Sequence, residues 1–217
     1  MTDARDVSTM RRGYGRRGLD EAALASTWLE QLTAWIAEAV RLEVREPNAM
    51  VLATAAPDGA PAARIVLLRG LDERGLAFYT NLSSRKGHEL ESNPRASLAF
   101  AWLDLERQVR AEGTVEPVAD EEADTYFASR PRGSQLAALA SPQSEVIGSR
   151  EELEDRYAEL AERHPEGTPV ARPAWWGGRR LVPSSVEFWQ GRENRLHDRL
   201  RYRREAGGTW VVERLAP

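Results

Sequence analysis

The chain has 217 residues, 41% hydrophobic and 29% charged, which supplies enough apolar material for one core and too much for wholesale disorder. It contains no cysteine, which excludes disulfides, thiolate metal sites and a cysteine nucleophile, and its three histidines, His88, His164 and His197, are too widely spaced to suggest a metal site. A formal net charge of −4 argues against a generally basic nucleic-acid binder while leaving room for a local cationic pocket.

The longest apolar stretch, around Met50 to Ala56, is too short to span a bilayer, and the charged N-terminus has no apolar signal-peptide core. A cytoplasmic protein is expected. The first eighteen residues, with Arg11, Arg12, Arg16 and Arg17 among three glycines, read as a mobile cationic arm or a plain disordered tail. From Asp20, a plausible N-cap, apolar residues Leu24, Trp28, Leu32, Trp35, Ile36 and Val40 recur at helical spacing, so a helix is expected to about Arg45 with its tryptophans in the core.

After Pro47 the pattern changes to short apolar runs, Ala49 to Ala55, Ala63 to Gly70 and Leu76 to Asn81, which predict strands. Turn residues at Pro57-Asp58-Gly59 and Asp72 to Gly75 make them antiparallel hairpins. A short helix starting near Ser83 or Ser84 should end before Pro94, followed by strands at Ala96 to Leu103 and Gln108 to Val115. Helices are expected over Asp120 to Ser129, Ser134 to Ala140 and Arg150 to Arg163, then strands at Arg180 to Gln190, Arg199 to Arg203 and Trp210 to Arg214. Adjacent short strands with helices between them predict a mainly β, α+β fold, an antiparallel barrel with flanking helices. No G-x-G-x-x-G falls on a strand-to-helix turn and no Walker-type loop is present, so neither a Rossmann nor a P-loop reading is supported.

Two constellations carry chemistry. Arg64 to Arg69 puts cations at both ends of an apolar strand, and Tyr79 to Lys86 joins a strand to a helix start, where backbone N–H groups, the hydroxyls of Thr80 and Ser84 and the charges of Arg85 and Lys86 suit a phosphate dianion. The bland alternative is a capped, solvated helix end. The second is Glu187 to Arg199, which packs arginines, His197 and Trp189 into one strand-loop-strand unit and suits an active-site wall or, equally, an exposed charged hairpin. Lys86 is the chain's only lysine, so arginine at any single position says little by itself.

Taken in order, Arg11-Arg12-Gly13-Tyr14, Arg64 to Arg69, Phe78-Tyr79-Thr80-Asn81, Ser84-Arg85-Lys86, Leu105 to Val109, Ser129 to Gln135, Ser141 to Ser144, Trp176-Gly177-Gly178 and Arg195 to Arg199 resemble the pyridoxamine 5′-phosphate oxidase family over nearly the whole chain. The resemblance implies an FMN-binding antiparallel split β-barrel over residues 19–217, with a C-terminal dimerisation and active-site region, and a homodimer with FMN at the subunit interface. It implies FMN contacts from Arg64, Ile65, Val66, Leu67, Leu68 and Arg69, from Tyr79, Thr80, Arg85 and Lys86, and from Gln108, Gln143, Ser144, Trp189 and Arg199. Arg64, Thr80, Arg85 and Lys86 would surround the flavin phosphate. Tyr126, Arg130 and Ser134 would bind the substrate's phosphate, and Arg69 would supply a cation near flavin and substrate. Arg195 and His197 would face the pyridine ring as the catalytic pair, and Arg11 and Tyr14 would close over the substrate.

The implied reaction is oxidation of pyridoxine or pyridoxamine 5′-phosphate by O2 to pyridoxal 5′-phosphate, with H2O2 and, from the amine, NH3. Two positions depart from the pattern: Arg69 stands where lysine is usual, and Ala101-Trp102 where Pro-Trp is frequent. A related FMN-dependent oxidase acting on another aromatic substrate is the competing enzyme reading. A flavin or pyridoxal-phosphate carrier is the non-enzyme one, disfavoured because Arg195 and His197 are both present.

Overall fold

The computed structural model describes residues 13–15 and 18–217, so most of the expected N-terminal arm, Arg11 included, lies outside the described residues. Five helices and nine strands follow in chain order: α1 (Trp28–Arg41), β1 (Ala49–Ala55), β2 (Pro61–Leu67), β3 (Gly70–Asp72), β4 (Gly75–Asn81), α2 (Arg85–Ser92), β5 (Arg95–Trp102), β6 (Arg107–Pro117), α3 (Asp120–Ser129), α4 (Arg132–Ala140), α5 (Arg150–Arg163), β7 (Trp176–Gln190), β8 (Asp198–Arg204) and β9 (Trp210–Arg214). The strands join one sheet in the order β2-β1-β5-β6-β7-β4-β3, and β8 pairs with β7 and β9. The β1–β2, β3–β4, β4–β7, β7–β8 and β8–β9 pairs are antiparallel.

By internal contacts the chain divides into two compact units interleaved in sequence: Met1–Pro47 with Ala99–Ala111 and Ser184–Pro217, and Asn48–Leu98 with Glu112–Pro183. Strand β7 changes partner along its length, pairing with β4 up to Leu181 and with β8 from Ser185. Pro183, which has no N–H to donate, falls between these two ladders and interrupts neither.

In the first unit α1 buries Trp28, Leu32, Trp35 and Ala39 along one face. Trp35 meets Phe188 edge-on at 5.2 Å, and Phe188 in turn meets Tyr202 at 5.7 Å. The Tyr202 hydroxyl donates to Ala25 O at 2.6 Å, and burial pushes its pKa up to about 12. In the second unit Met50, Leu52, Leu76, Phe78, Leu98 and Leu181 are fully buried, and Phe127, Leu136, Val170 and Trp176 form a further apolar cluster beneath α3 and α4.

The helix expected from Asp20 begins later. Asp20 caps a single 3-10 turn at Glu21–Ala23, the chain extends again at Leu24, and α1 starts behind Thr27. There Thr27 and Glu30 form a reciprocal capping box that satisfies two orphan N–H groups, which outcompetes the single bond Asp20 offers. The helix ends at Arg41, where Glu43 turns to a positive φ of 55°. The strand expected over Ala63 to Gly70 ends at Leu67. Leu68 N still donates to Asn48 O but Arg69 N donates to Ala77 O, so the chain changes neighbours there and Gly70 opens β3.

Candidate active site

In the second unit a cavity of about 700 Å³ is lined by Ile65, Val66, Leu67 and Arg69 of the β2 segment, by Tyr79, Thr80 and Lys86, by Tyr126, Arg130 and Ser134, and by Gln143. Eleven of the predicted site residues thus converge on one space. Leu68 is buried beside it. Arg85 and Ser144 line a neighbouring depression of about 480 Å³ that shares Gln143.

The β4–α2 junction builds one end. Ser84 occupies the N-cap position of α2, yet its hydroxyl donates back to Asn81 O at 2.6 Å and no side chain caps the helix. The first-turn N–H groups are thereby left for another acceptor, and the helix end carries partial positive charge. Lys86 reaches Gln143 Oε1 at 2.6 Å and the hydroxyls of Thr80 and Ser84 at 3.1 Å each. Burial, reinforced by the Arg64 charge, lowers its pKa to about 8. Arg64 donates to Thr54 Oγ1 at 2.5 Å and pairs with Glu89 at 2.9 Å, and Arg85 pairs with the same carboxylate at 2.7 Å.

Aromatic rings and unpaired cations make the rest. Tyr79 stacks on Tyr126 at 4.0 Å and lies nearly parallel to Trp176 at 5.6 Å. Burial raises the Tyr79 pKa. The Arg130 guanidinium lies 4.8 Å from the Trp176 ring centre and 5.6 Å from that of Phe127, and Arg69 lies 6.0 Å from that of Tyr126. Among the described residues neither arginine forms an ion pair, and Arg130 Nη1 is buried without a hydrogen-bond partner. Burial, with the nearby Arg69 charge, depresses the Arg130 pKa. Two guanidiniums without a carboxylate between them form a site that an anion completes.

In the first unit Gln108, Trp189 and Arg199 line a cavity of about 260 Å³. Arg199 makes a two-pronged ion pair with Glu187 at 2.7 and 3.1 Å and donates to Ala216 O, while Arg110 adds a third bond to Glu187 at 2.7 Å. His197 Nδ1 accepts the Arg192 N–H at 3.1 Å. Its ring sits 4.6 Å from Trp189 and 5.5 Å from Tyr14, which approaches edge-on. Gly191 permits that approach, because a Cβ there would lie 2.8 Å from the Tyr14 ring. Arg195 is exposed in a tight turn and has a left-handed φ of 62°.

Sequence reasoning missed three supporting residues. Glu89 stands four residues after Arg85 on α2, a helical pairing distance that signals an ion pair. Trp176 carries Arg130, and its only signal was an aromatic before two glycines. Glu187 holds Arg199 through strand register, since the β7–β8 pairing sets Glu187 and Arg199 two positions apart across the ladder.

Solved structures define the class first: the fold is an antiparallel split barrel with flanking helices. It superposes with a TM-score of 0.85 at 35% identity on PhzG from Burkholderia lata 383, solved with tetrahydrophenazine-1-carboxylic acid, covering 90% of this chain and 95% of that one. A pyridoxamine 5′-phosphate oxidase-related, FMN binding protein from Nostoc punctiforme has the same fold, with a TM-score of 0.71 at 19% identity over 89% of this chain and 100% of its own. The chain belongs to the pyridoxamine 5′-phosphate oxidase family: the model of that name matches residues 36–164, and the pyridoxine 5′-phosphate oxidase C-terminal dimerisation region matches residues 176–217. Relatives named pyridoxine/pyridoxamine 5′-phosphate oxidase include one from Rubrobacter xylanophilus, 59% identical over 98% of this chain and 97% of its own, and one from Frankia alni, 56% identical over 99% and 90%.

Proposed function

We propose that this protein is an FMN-dependent oxidase that converts pyridoxine 5′-phosphate and pyridoxamine 5′-phosphate with O2 to pyridoxal 5′-phosphate, releasing H2O2 and, from the amine, NH3 after water is added. The observation that carries the reading is one cavity with two separate anion-ready groups, Lys86 with Thr80 at the open start of α2 and Arg69 with Arg130 and Ser134 beside it. A phosphorylated cofactor and a phosphorylated substrate together need such a pair. Full-length relatives of that name support the same conclusion.

The uncapped helix start and the orphaned Arg130 N–H fit phosphate groups. Thr80, Arg85 and Lys86 would hold the FMN phosphate with Arg64, which lines neither cavity and is tied to Arg85 through the shared Glu89. Gln143, Ser144, Tyr79 and the Ile65 to Leu67 strand would lie along the remainder. Bound FMN supplies the redox chemistry, accepting two electrons as a hydride and returning them to O2. Arg69, Tyr126, Arg130 and Ser134 would anchor the substrate phosphate, turning binding energy into orientation of the carbon to be oxidised. Gln108, Trp189 and Arg199 are proposed as further flavin contacts, and Arg195 and His197 as the residues that orient the pyridine ring. With Nδ1 accepting from Arg192, neutral His197 bears its proton on Nε2, the nitrogen left to exchange protons. Tyr14, with Arg11 on the same arm, would cover the substrate. The homodimer supported by the C-terminal match would bring FMN to a subunit interface, in the cytoplasm.

A peroxide-coupled assay of FMN-reconstituted protein with both phosphorylated vitamers tests the activity. Turnover of either is expected, and none with both would defeat the assignment. The flavin released by acid should chromatograph as FMN, and recovery of FAD would contradict the monophosphate site. The likeness to PhzG favours one second reading, an FMN oxidase acting on a different aromatic substrate. That reading gains if FMN binds while both vitamers fail.

A further inference from the structure

Glu89 is buried on α2, with 5% of its surface exposed. Its Oε2 accepts from Thr54 Oγ1 at 2.5 Å and from Arg64 Nη2 at 2.9 Å, and its Oε1 accepts from Arg85 Nε at 2.7 Å. Burial favours the neutral acid, yet the hydrogen bonds from Thr54, Arg85 and Arg64 outweigh it and keep the carboxyl below its usual pKa. One carboxylate thus fixes a guanidinium from β2 and another from α2.

The two arginines are held differently. Arg64 spends Nη2 on Glu89 and Nη1 on Thr54 and the Leu52 carbonyl. Arg85 is 62% exposed, and its described side-chain bond runs from Nε alone, which leaves the Nη edge that binds oxyanions in a two-pronged manner open. A long exposed arginine otherwise samples many rotamers, and a partner on Nε removes that freedom before a ligand arrives. Charge points the same way. Arg64, Arg85 and Lys86 less Glu89 sum to +2 with Lys86 protonated, which matches a phosphate monoester dianion.

We propose that Glu89 is a positioning residue of the phosphate subsite, presetting Arg64 and Arg85 for a terminal phosphate and so setting how strongly the protein prefers FMN to riboflavin. This rests on the FMN reading above. A purely structural Glu89 would affect both flavins alike, because they share the ring and ribityl chain and differ only in the phosphate.

The test titrates full-length protein freed of flavin with FMN and with riboflavin, following quenching of flavin fluorescence, for the native protein and for Glu89→Ala and Glu89→Gln. Glu89→Ala is expected to weaken FMN by about tenfold or more while changing riboflavin less than about twofold. Glu89→Gln, whose amide oxygen still accepts from a guanidinium, should recover most of the loss. In an Arg85→Ala background Glu89→Ala should weaken FMN clearly less, because part of its action runs through Arg85. Equal losses for both flavins would overturn the proposal, as would tighter FMN binding in both Glu89 variants, which would make charge and not orientation decisive. If Glu89→Ala does not fold, Glu89→Met, which fills a similar volume without a carboxylate acceptor, takes its place: a lowered FMN/riboflavin affinity ratio supports the proposal and an unchanged ratio overturns it. Native protein that binds neither flavin would instead remove the FMN reading itself.

Discussion

Lys86 shows how one side chain ties the site to pH. Its pKa of about 8 lies below the ordinary lysine value of 10.5 because burial penalises the ammonium. The folded protein therefore binds fewer protons at this position than the unfolded chain between these values, so stability of the flavin-free protein should rise with pH across that window. Binding of an anion should run the other way, since a dianion favours the protonated lysine and affinity should fall as pH passes about 8. Urea midpoints and flavin titrations on both sides of pH 8 check the two slopes, and Lys86→Met should flatten both. Arg69 makes a second prediction. Its guanidinium is exposed at the cavity rim over Tyr126, with no ion pair among the described residues, and lysine supplies the same charge there. Arg69→Lys should change kcat/KM for either vitamer by less than about tenfold, or about 1.4 kcal/mol. A large gain confined to the lysine variant would point to another native substrate.

Elements were legible wherever strong local signals agreed. Helices α3 and α5 have the bounds read from the sequence, Asp120 to Ser129 and Arg150 to Arg163. The start of α1 misled because Asp20 is a good cap in isolation, and only the Thr27–Glu30 reciprocity picks the later start. Thr27→Ala should accordingly lower stability by about 1 kcal/mol in urea denaturation, whereas Asp20→Ala, which frees only a 3-10 turn, should cost less. Packing across strands had no sequence signal. Gly178 on β7 faces Tyr79 on β4, and a Cβ there would lie 2.6 Å from the Val118 Cβ and 2.8 Å from the Tyr79 ring. Gly178→Ala should destabilise by about 1–3 kcal/mol through overpacking and, by shifting Tyr79, raise the KM for substrate.

At the scale of the molecule, the sequence motifs named residues without saying which belong together. The β2, α2, α3 and α4 residues meet in one cavity of one unit, whereas Gln108, Trp189 and Arg199 meet in the other unit. That partition comes from long-range strand pairing, above all the change of partner along β7, and no local pattern encodes it. The match of residues 176–217 to a dimerisation region predicts a particle of twice 24.3 kDa, which sedimentation equilibrium measures. A monomer at all concentrations would contradict it.

The chain's only lysine lies inside the candidate site, hydrogen-bonded to Thr80, Ser84 and Gln143. A lysine-specific endoprotease consequently has a single scissile bond to find, Lys86–Gly87, at the first turn of α2. Cleavage into fragments of residues 1–86 and 87–217 would require that turn to open, so the digestion rate under native conditions reports opening of the start of α2, at the candidate phosphate subsite. Inorganic phosphate or flavin that settles on the turn should slow the cut in proportion to its occupancy, giving a gel-based binding assay that needs no chromophore and no turnover.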